Sequence, residues 1–189
     1  AIPMNTLITT AVTGLFVWSP MAAATTVAPV ELPTYSVSMT AYNAVPGQTD
    51  DTPHITASGA YSNPDIIAAR SRDLADELPF GTVIEVVAAD GSNNCGLELV
   101  KDQIGLRVIG DVMNARMINK IDILFDTGDM ARAGGKTMNA ARVLGRCTGV
   151  EIHVVGKIDM RDMPKSQKEL RLAVGNLEKA TPQNLAIKK

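Results

Sequence analysis

Short segments of apolar residues recur along this chain, and most of them have the length and composition of β-strands. Residues 35–42 alternate between apolar and polar side chains, as expected for a strand with one buried face. Further strand-length segments, rich in β-branched residues and separated by Gly, Asn or Asp, lie at residues 66–69, 82–89, 106–109, 121–125 and 150–155. Because these segments do not alternate regularly with helices, the pattern predicts an all-β barrel or sandwich.

Two segments have the features of helices instead. One lies at residues 129–144, and the other runs from about Ser166 to Ala180. Glu169 follows Ser166 by three residues, which is the spacing of a helix-capping box. Residues 157–189 also hold 8 basic and 4 acidic side chains. We therefore expect residues 158–189 to form a charged, partly helical C-terminal tail.

The first 30 residues contain no Asp, Glu, Lys or Arg. The apolar run at residues 7–18 is followed by Pro20 and by three alanines at 22–24, a pattern typical of a secretory signal and its cleavage site. The run is too short for a membrane-spanning helix, which needs about 20 residues. We expect residues 1–24 to be a signal peptide, 25–36 a linker, and the mature protein to be exported without a membrane span. A buried N-terminal helix is the alternative.

The composition of the 189 residues is that of one globular domain with a hydrophobic core, since 46% are hydrophobic and 20% are charged. The 18 Lys and Arg residues against 20 Asp and Glu residues give a net charge of −2. Nucleic-acid-binding proteins usually have a basic excess, and disordered chains combine low hydrophobicity with high net charge. The composition therefore argues against both classes.

Cys95 and Cys147 are the two cysteines of the chain. In an exported protein an even number of cysteines predicts a disulfide, which would close a loop of about 50 residues; two unpaired thiols are the alternative. His54 and His153 have no cysteine or second histidine at the spacing of a zinc site. We expect no metal site.

Two aspartates lie at or near the ends of predicted strands. Asp111 follows the segment 106–109, and Asp122, eleven residues later, interrupts the apolar segment 121–125. A pair of carboxylates at adjacent strand ends suits acid–base chemistry on a glycosidic bond, because one carboxyl can stay protonated while the other is ionised. Aspartates that only form turns are the alternative interpretation.

Four short motifs follow one another along the chain. They are Thr40-Ala41-Tyr42 with Thr56-Ala57-Ser58-Gly59, then Pro79-Phe80-Gly81-Thr82, then Asp111 with Asn119-Lys120-Ile121-Asp122, and finally Val150-Glu151-Ile152-His153-Val154. In order and spacing they resemble the bacterial 3D (three-aspartate) domain. That family includes the C-terminal domain of the membrane-bound lytic transglycosylase A type and secreted proteins that remodel the cell wall.

The resemblance implies a six-stranded double-psi β-barrel with short helices over residues 37–157, acting as a monomer on the glycan strands of peptidoglycan in the periplasm or outer cell envelope. In the family reaction the substrate's own 6-hydroxyl is the nucleophile, so no metal or organic cofactor is expected. The resemblance implies that Asp122 is the catalytic acid and base and that Asp111 orients it or holds the sugar. The implied substrate-binding residues are Tyr42, Thr56, Ser58, Gly59 and Asp73.

One motif departs from the family pattern. Arg70 stands where the family has its first aspartate, and Asp73 could replace that aspartate only if the loop folds back. Three interpretations of function therefore stay open. The protein is a lytic transglycosylase, a non-catalytic peptidoglycan-binding barrel, or an exported interaction domain whose basic tail binds an acidic partner.

Overall fold

Six strands close into a barrel in the computed structural model of this protein, which confirms the prediction of an all-β barrel. The structure describes residues 32–45, 53–89 and 95–184, so the predicted signal peptide lies outside the described residues. The strands in this part of the chain are β1 (Thr34–Asn43), β2 (Ile67–Arg70), β3 (Thr82–Ala89), β4 (Leu106–Val112), β5 (Lys120–Phe125), β6 (Met130–Ala133), β7 (Lys136–Asn139) and β8 (Cys147–Lys157). The helices are α1 (Leu97–Ile104), α2 (Ala140–Leu144), α3 (Gln167–Asn184) and one turn of 3-10 helix (Arg72–Leu74).

The order of strands around the closed barrel is β1-β5-β2-β4-β3-β8, so most neighbours in the barrel are not neighbours in sequence. β1 pairs with β5 and β2 pairs with β4 in parallel, whereas the other four pairs are antiparallel. β6 and β7 form a separate two-stranded hairpin. This order brings β1, β5, β2 and β4 side by side, and three of these strands carry the predicted site residues Tyr42, Asp122 and Asp111.

Apolar side chains fill the barrel and also cover part of its outer surface. The interior cluster includes Met39, Ala68, Ile84, Ile109, Ile121 and Ile123. The outer cluster, to which helix α3 contributes, includes Ile67, Val108, Leu124, Leu170 and Val174. Because successive side chains of a strand point to opposite faces, Thr40 on β1 and Asp122 on β5 lie on the outer face, next to inward-pointing Met39 and Ile121.

The helix predicted at residues 129–144 is mostly wrong. The hairpin of β6 and β7 occupies residues 130–139, and only the five residues of α2 are helical. The physical reason is the pair Gly134 and Gly135, which adopt φ angles of 55° and 79° and form the turn that reverses the chain. Asn139 then begins α2, because its side chain accepts a hydrogen bond from the backbone N–H of Ala141 at 3.0 Å.

The predicted C-terminal helix is present as α3. Its first turn is close to the expected capping box: the backbone N–H of Glu169 donates to Ser166 Oγ at 3.4 Å, and Glu169 Oε2 accepts from the backbone N–H of Lys165 at 2.7 Å. Helix α1 was not predicted, although Leu97, Val100 and Ile104 are its buried residues. None of the helices in the described residues is long and apolar enough to cross a membrane.

The predicted disulfide between Cys95 and Cys147 is confirmed. It joins the chain just before α1 to the first residue of β8. The bond therefore links the connection between β3 and β4 to the last strand of the barrel.

Candidate active site

The two predicted catalytic aspartates lie on either side of one small residue. In the register of the barrel, Ala69 of β2 pairs with Asp111 of β4 on one side and with Asp122 of β5 on the other. Because neighbouring strands are about 4.8 Å apart, the two aspartate backbones are separated by about 10 Å. The methyl group of Ala69 fills little of the space between them, so a ligand can contact both carboxylates.

A β-bulge in β4 turns Asp111 toward this space. Ala68 pairs with Ile109 and Ala69 pairs with Asp111, so Gly110 is the extra residue on β4. With simple alternation Asp111 would point into the barrel interior, as Ile109 does. The bulge shifts the alternation by one residue, and Asp111 therefore shares the outer face with Asp122.

Three donors hold the Asp111 carboxylate in place. Its Oδ2 accepts a hydrogen bond from the Tyr42 hydroxyl at 3.1 Å, and its Oδ1 accepts from the backbone N–H groups of Ala57 and Val112, both at 2.9 Å. Burial, followed by the negative charge of Asp111, raises the pKa of Tyr42 far above its ordinary value. Tyr42 therefore stays protonated and remains a donor.

The Asp122 carboxyl has a different environment. Its Oδ1 accepts one side-chain hydrogen bond, from Thr40 Oγ1 at 2.7 Å on the neighbouring strand β1. Burial raises the pKa of Asp122 to about 6, and the charge of Asp111 adds to this rise, while the Thr40 hydrogen bond and the charge of Lys120 oppose it. Near pH 6 the group can both donate and accept a proton.

Both aspartates face a cavity of about 500 Å³, which also has Tyr42 and Ala69 in its wall. The volume lies within the roughly 300–1,000 Å³ range of small-molecule sites. Ile55 contributes to one side of the cavity, and the last residue of β4, Val112, and the loop at 113–117 that follows it contribute several more lining groups. The arrangement therefore combines a proton donor and acceptor, a second carboxylate and a space for substrate.

The sequence-predicted residues Thr56, Ser58 and Gly59 do not line this cavity in the described part of the chain. They form a tight turn in which the hydroxyls of Thr56 and Ser58 share a hydrogen bond of 2.9 Å, and Gly59 has a φ angle of 83°. The backbone N–H of Ser58 donates to the carbonyl of Gly110 at 3.2 Å. This turn positions the Ala57 N–H against Asp111; direct contact of these residues with substrate stays a prediction.

Arg70 and Asp73 also lie outside the cavity lining among the described residues. Arg70 is buried and donates to the backbone carbonyls of Leu78 and Ser71 at 2.8 and 3.1 Å, with its guanidinium over the ring of Phe80. Asp73 Oδ2 accepts a hydrogen bond from the backbone N–H of Asn119 at 2.8 Å. Because Asp73 does not line the cavity, the described part of its wall holds two carboxylates, those of Asp111 and Asp122, rather than three.

The two histidines are not among the residues that line the cavity. His153 contacts Glu151 on the same strand at 2.9 Å, and the His54 ring stacks near that of Tyr61 at a centroid distance of 6.4 Å. Within residues 32–45, 53–89 and 95–184, no group of three or more His, Cys, Asp or Glu side chains is placed to bind a metal ion.

The fold also brings Thr40 and Arg116 to the site, although the sequence pattern indicates no role for either residue. Thr40 stood within a recognised motif, but its partner Asp122 is 82 residues away in sequence. Nothing in the local pattern around Arg116 indicated a cavity. No protein-family model matches this chain, and no curated protein matches it.

Proposed function

We propose that this protein is a lytic transglycosylase that cleaves the glycan strand of peptidoglycan and leaves anhydro-muramic ends. One observation carries the proposal: the partly buried carboxyl of Asp122, with a pKa of about 6, faces a cavity whose wall also holds the carboxylate of Asp111. An acid–base catalyst works best when its pKa is near the working pH. Both aspartates also belong to the motifs that resemble the 3D domain.

We propose further that the barrel is a double-psi β-barrel. The two parallel pairs, β1–β5 and β2–β4, lie next to each other in the barrel and are joined by the antiparallel pairing of β5 with β2. Two adjacent parallel pairs in a six-stranded barrel that is otherwise antiparallel support the topology that the resemblance implies.

In the first step, protonated Asp122 donates its proton to the glycosidic oxygen as the bond from that oxygen to the anomeric carbon breaks. Positive charge develops on the sugar ring, and the Asp111 carboxylate stabilises it. The hydrogen bonds from Tyr42, Ala57 and Val112 hold Asp111 without requiring any movement during the reaction.

In the second step, the carboxylate of Asp122 takes the proton of the 6-hydroxyl of the same muramic acid residue. The hydroxyl oxygen then bonds to the anomeric carbon and closes the anhydro ring. Asp122 ends the cycle protonated, so one group serves as acid and then as base, and no water molecule is consumed.

A second candidate function is binding of peptidoglycan without cleavage. The observation that favours it is Arg70, which occupies the position of the family's first aspartate and is held by the carbonyls of Leu78 and Ser71. For either function we expect an exported protein, because a disulfide such as Cys95–Cys147 persists in oxidising compartments.

Purified sacculi distinguish the two functions. We expect the wild-type protein to release anhydro-muropeptides, and Asp122→Asn to lower the rate at least ~100-fold, because an amide cannot exchange the proton. The wild-type rate should fall as the pH rises through about 6, where Asp122 loses its proton. The matched control is Asp162→Asn, at an exposed aspartate outside the cavity lining, which should cleave at the wild-type rate.

Two other results with sacculi would contradict the proposal. A wild-type protein that binds sacculi and releases nothing would support the binding function instead. An Asp122→Asn variant that cleaves as fast as the wild type would show that the acid–base assignment is wrong.

A further inference from the structure

Arg116 is the one basic side chain in the wall of the cavity that holds Asp111 and Asp122, among the residues that the structure describes. Neither carboxylate lies within 4.0 Å of the guanidinium, since the ion pairs found in the described chain are His153–Glu151 and Arg161–Asp159. The cavity therefore presents a cation and two carboxylates that do not neutralise one another directly. A ligand with both neutral and anionic parts would match this distribution of charge.

The loop that carries Arg116 is fastened at both ends. At its start, the backbone N–H of Met113 donates to the carbonyl of Arg70 at 2.8 Å. At its end, the backbone N–H of Asn119 donates to Asp73 Oδ2 at 2.8 Å. Arg70 and Asp73 lie outside the cavity wall, but they hold the loop that places Arg116 in it.

Asn114 shapes the middle of the same loop. Its side-chain oxygen accepts a hydrogen bond from the backbone N–H of Arg116 at 3.2 Å, and its carbonyl accepts from the backbone N–H of Met117 at 2.9 Å. These local bonds restrict the position from which the Arg116 side chain extends. The loop backbone therefore places Arg116 in the cavity wall, and no ion pair with another described side chain holds its guanidinium.

We propose that Arg116 is a specificity-determining residue that binds a carboxylate carried by the glycan substrate. The inference rests on the proposed function and adds the group that the site recognises, an anionic substituent of the glycan beside the cleaved bond. A guanidinium binds carboxylates with two parallel hydrogen bonds, which gives orientation as well as affinity. In peptidoglycan the carboxylate belongs either to the lactyl group of a peptide-free muramic acid or to the peptide attached to that group.

Binding of fluorescently labelled glycan strands tests this inference. The probes are peptide-free strands and peptide-bearing strands, each before and after amidation of the carboxylates. Every protein used in the assay carries Asp122→Asn, so that the strands stay intact. We expect amidation of one probe to weaken binding about 10-fold, as loss of a charge-assisted hydrogen bond would. The probe that shows this effect identifies the source of the carboxylate.

In the same assay Arg116→Gln should bind native strands about 10-fold more weakly and lose the sensitivity to amidation, while Arg116→Lys should retain part of it. The matched control is Arg132→Gln, at an exposed arginine on β6 that does not line the cavity. This variant should bind native and amidated strands with the same affinities as the protein that carries Asp122→Asn alone. Unchanged affinity in Arg116→Gln, or equal binding of native and amidated strands, would overturn this inference and leave the proposed function standing. If the Asp122→Asn protein does not bind glycan strands and the wild-type protein does not cleave sacculi, the proposed function is wrong and the inference fails with it.

Discussion

At the scale of single residues, the burial of Asp122 affects both its chemistry and the stability of the fold. Its pKa rises from 3.8 to about 6 on folding. Between these two values the folded state keeps a proton that the unfolded state has released, so stability falls as the pH rises through this window. Above about pH 6 both states are ionised, and the full cost of the buried charge is present.

Replacement of Asp122 by asparagine should therefore stabilise the protein at pH 8. The amide keeps an oxygen that can accept the Thr40 hydrogen bond but carries no charge. We expect the free energy of unfolding to rise by about 1–3 kcal/mol at pH 8 and to be nearly unchanged at pH 4. Urea unfolding at pH 4, 6 and 8 measures the difference.

Asp162→Asn is the control for this measurement, since Asp162 is exposed. Its difference from the wild type should not change with pH. Equal stabilities of the wild type and Asp122→Asn at pH 8 would mean that the folded state bears no cost for the ionised Asp122.

At the scale of elements, the turn before β3 determines how the barrel meets the segment that follows β8. Gly81 has a φ angle of 87°, its N–H donates to the carbonyl of Ile109 at 2.9 Å, and its carbonyl accepts from the N–H of Ile158 at 2.9 Å. A Cβ atom at this position would collide with the backbone oxygen of Ile158. Glycine is therefore required both for its conformation and for the close approach of the backbone.

Gly81→Ala and Gly134→Ala separate these two requirements. Gly134 also has a positive φ, 55°, but a Cβ there would meet no atom within 4 Å. We expect Gly134→Ala to lower the free energy of unfolding by about 1 kcal/mol and Gly81→Ala to lower it by about 3 kcal/mol or more. Urea denaturation measures both values, and equal losses would show that the collision at Gly81 is relieved at no cost.

Most strands, but fewer helices, could be predicted from local sequence. The six barrel strands match the six predicted segments, because short β-branched runs bounded by turn residues favour strands wherever they pack. The hairpin of β6 and β7 is not predicted, because its strands are only four residues long and its Gly134-Gly135 turn lies within the segment predicted as a helix. For α1, the buried positions Leu97, Val100 and Ile104 have a helical spacing that is visible in the sequence.

At the scale of the whole molecule, the Cys95–Cys147 bond joins distant parts of the chain, since its two cysteines are 52 residues apart. Closing a loop of this length stabilises a fold mainly by restricting the unfolded chain. Neither cysteine lines the cavity of Asp111 and Asp122. The bond should therefore affect global stability much more than the geometry of this cavity.

Reduction of this disulfide should lower the free energy of unfolding by about 4 kcal/mol. Urea unfolding with and without reductant measures the change. The double variant Cys95→Ala/Cys147→Ala should match the reduced wild type and should not respond to reductant. A wild-type protein whose stability is the same in both conditions would contradict the expectation.

The sequence by itself determined the strand segments, the cysteine pair and the two aspartates, because these follow from local composition, residue counts and short spacings. The tertiary structure decided what surrounds them. Asp122 receives its hydrogen bond from a threonine 82 residues away, Asp111 from a tyrosine 69 residues away, and the bulge at Gly110 turns Asp111 outward only because β4 pairs with β2. The register between distant strands, the burial of Asp122 and the closeness of its carboxyl to that of Asp111 exist only when the barrel closes, and they set the chemistry of the site.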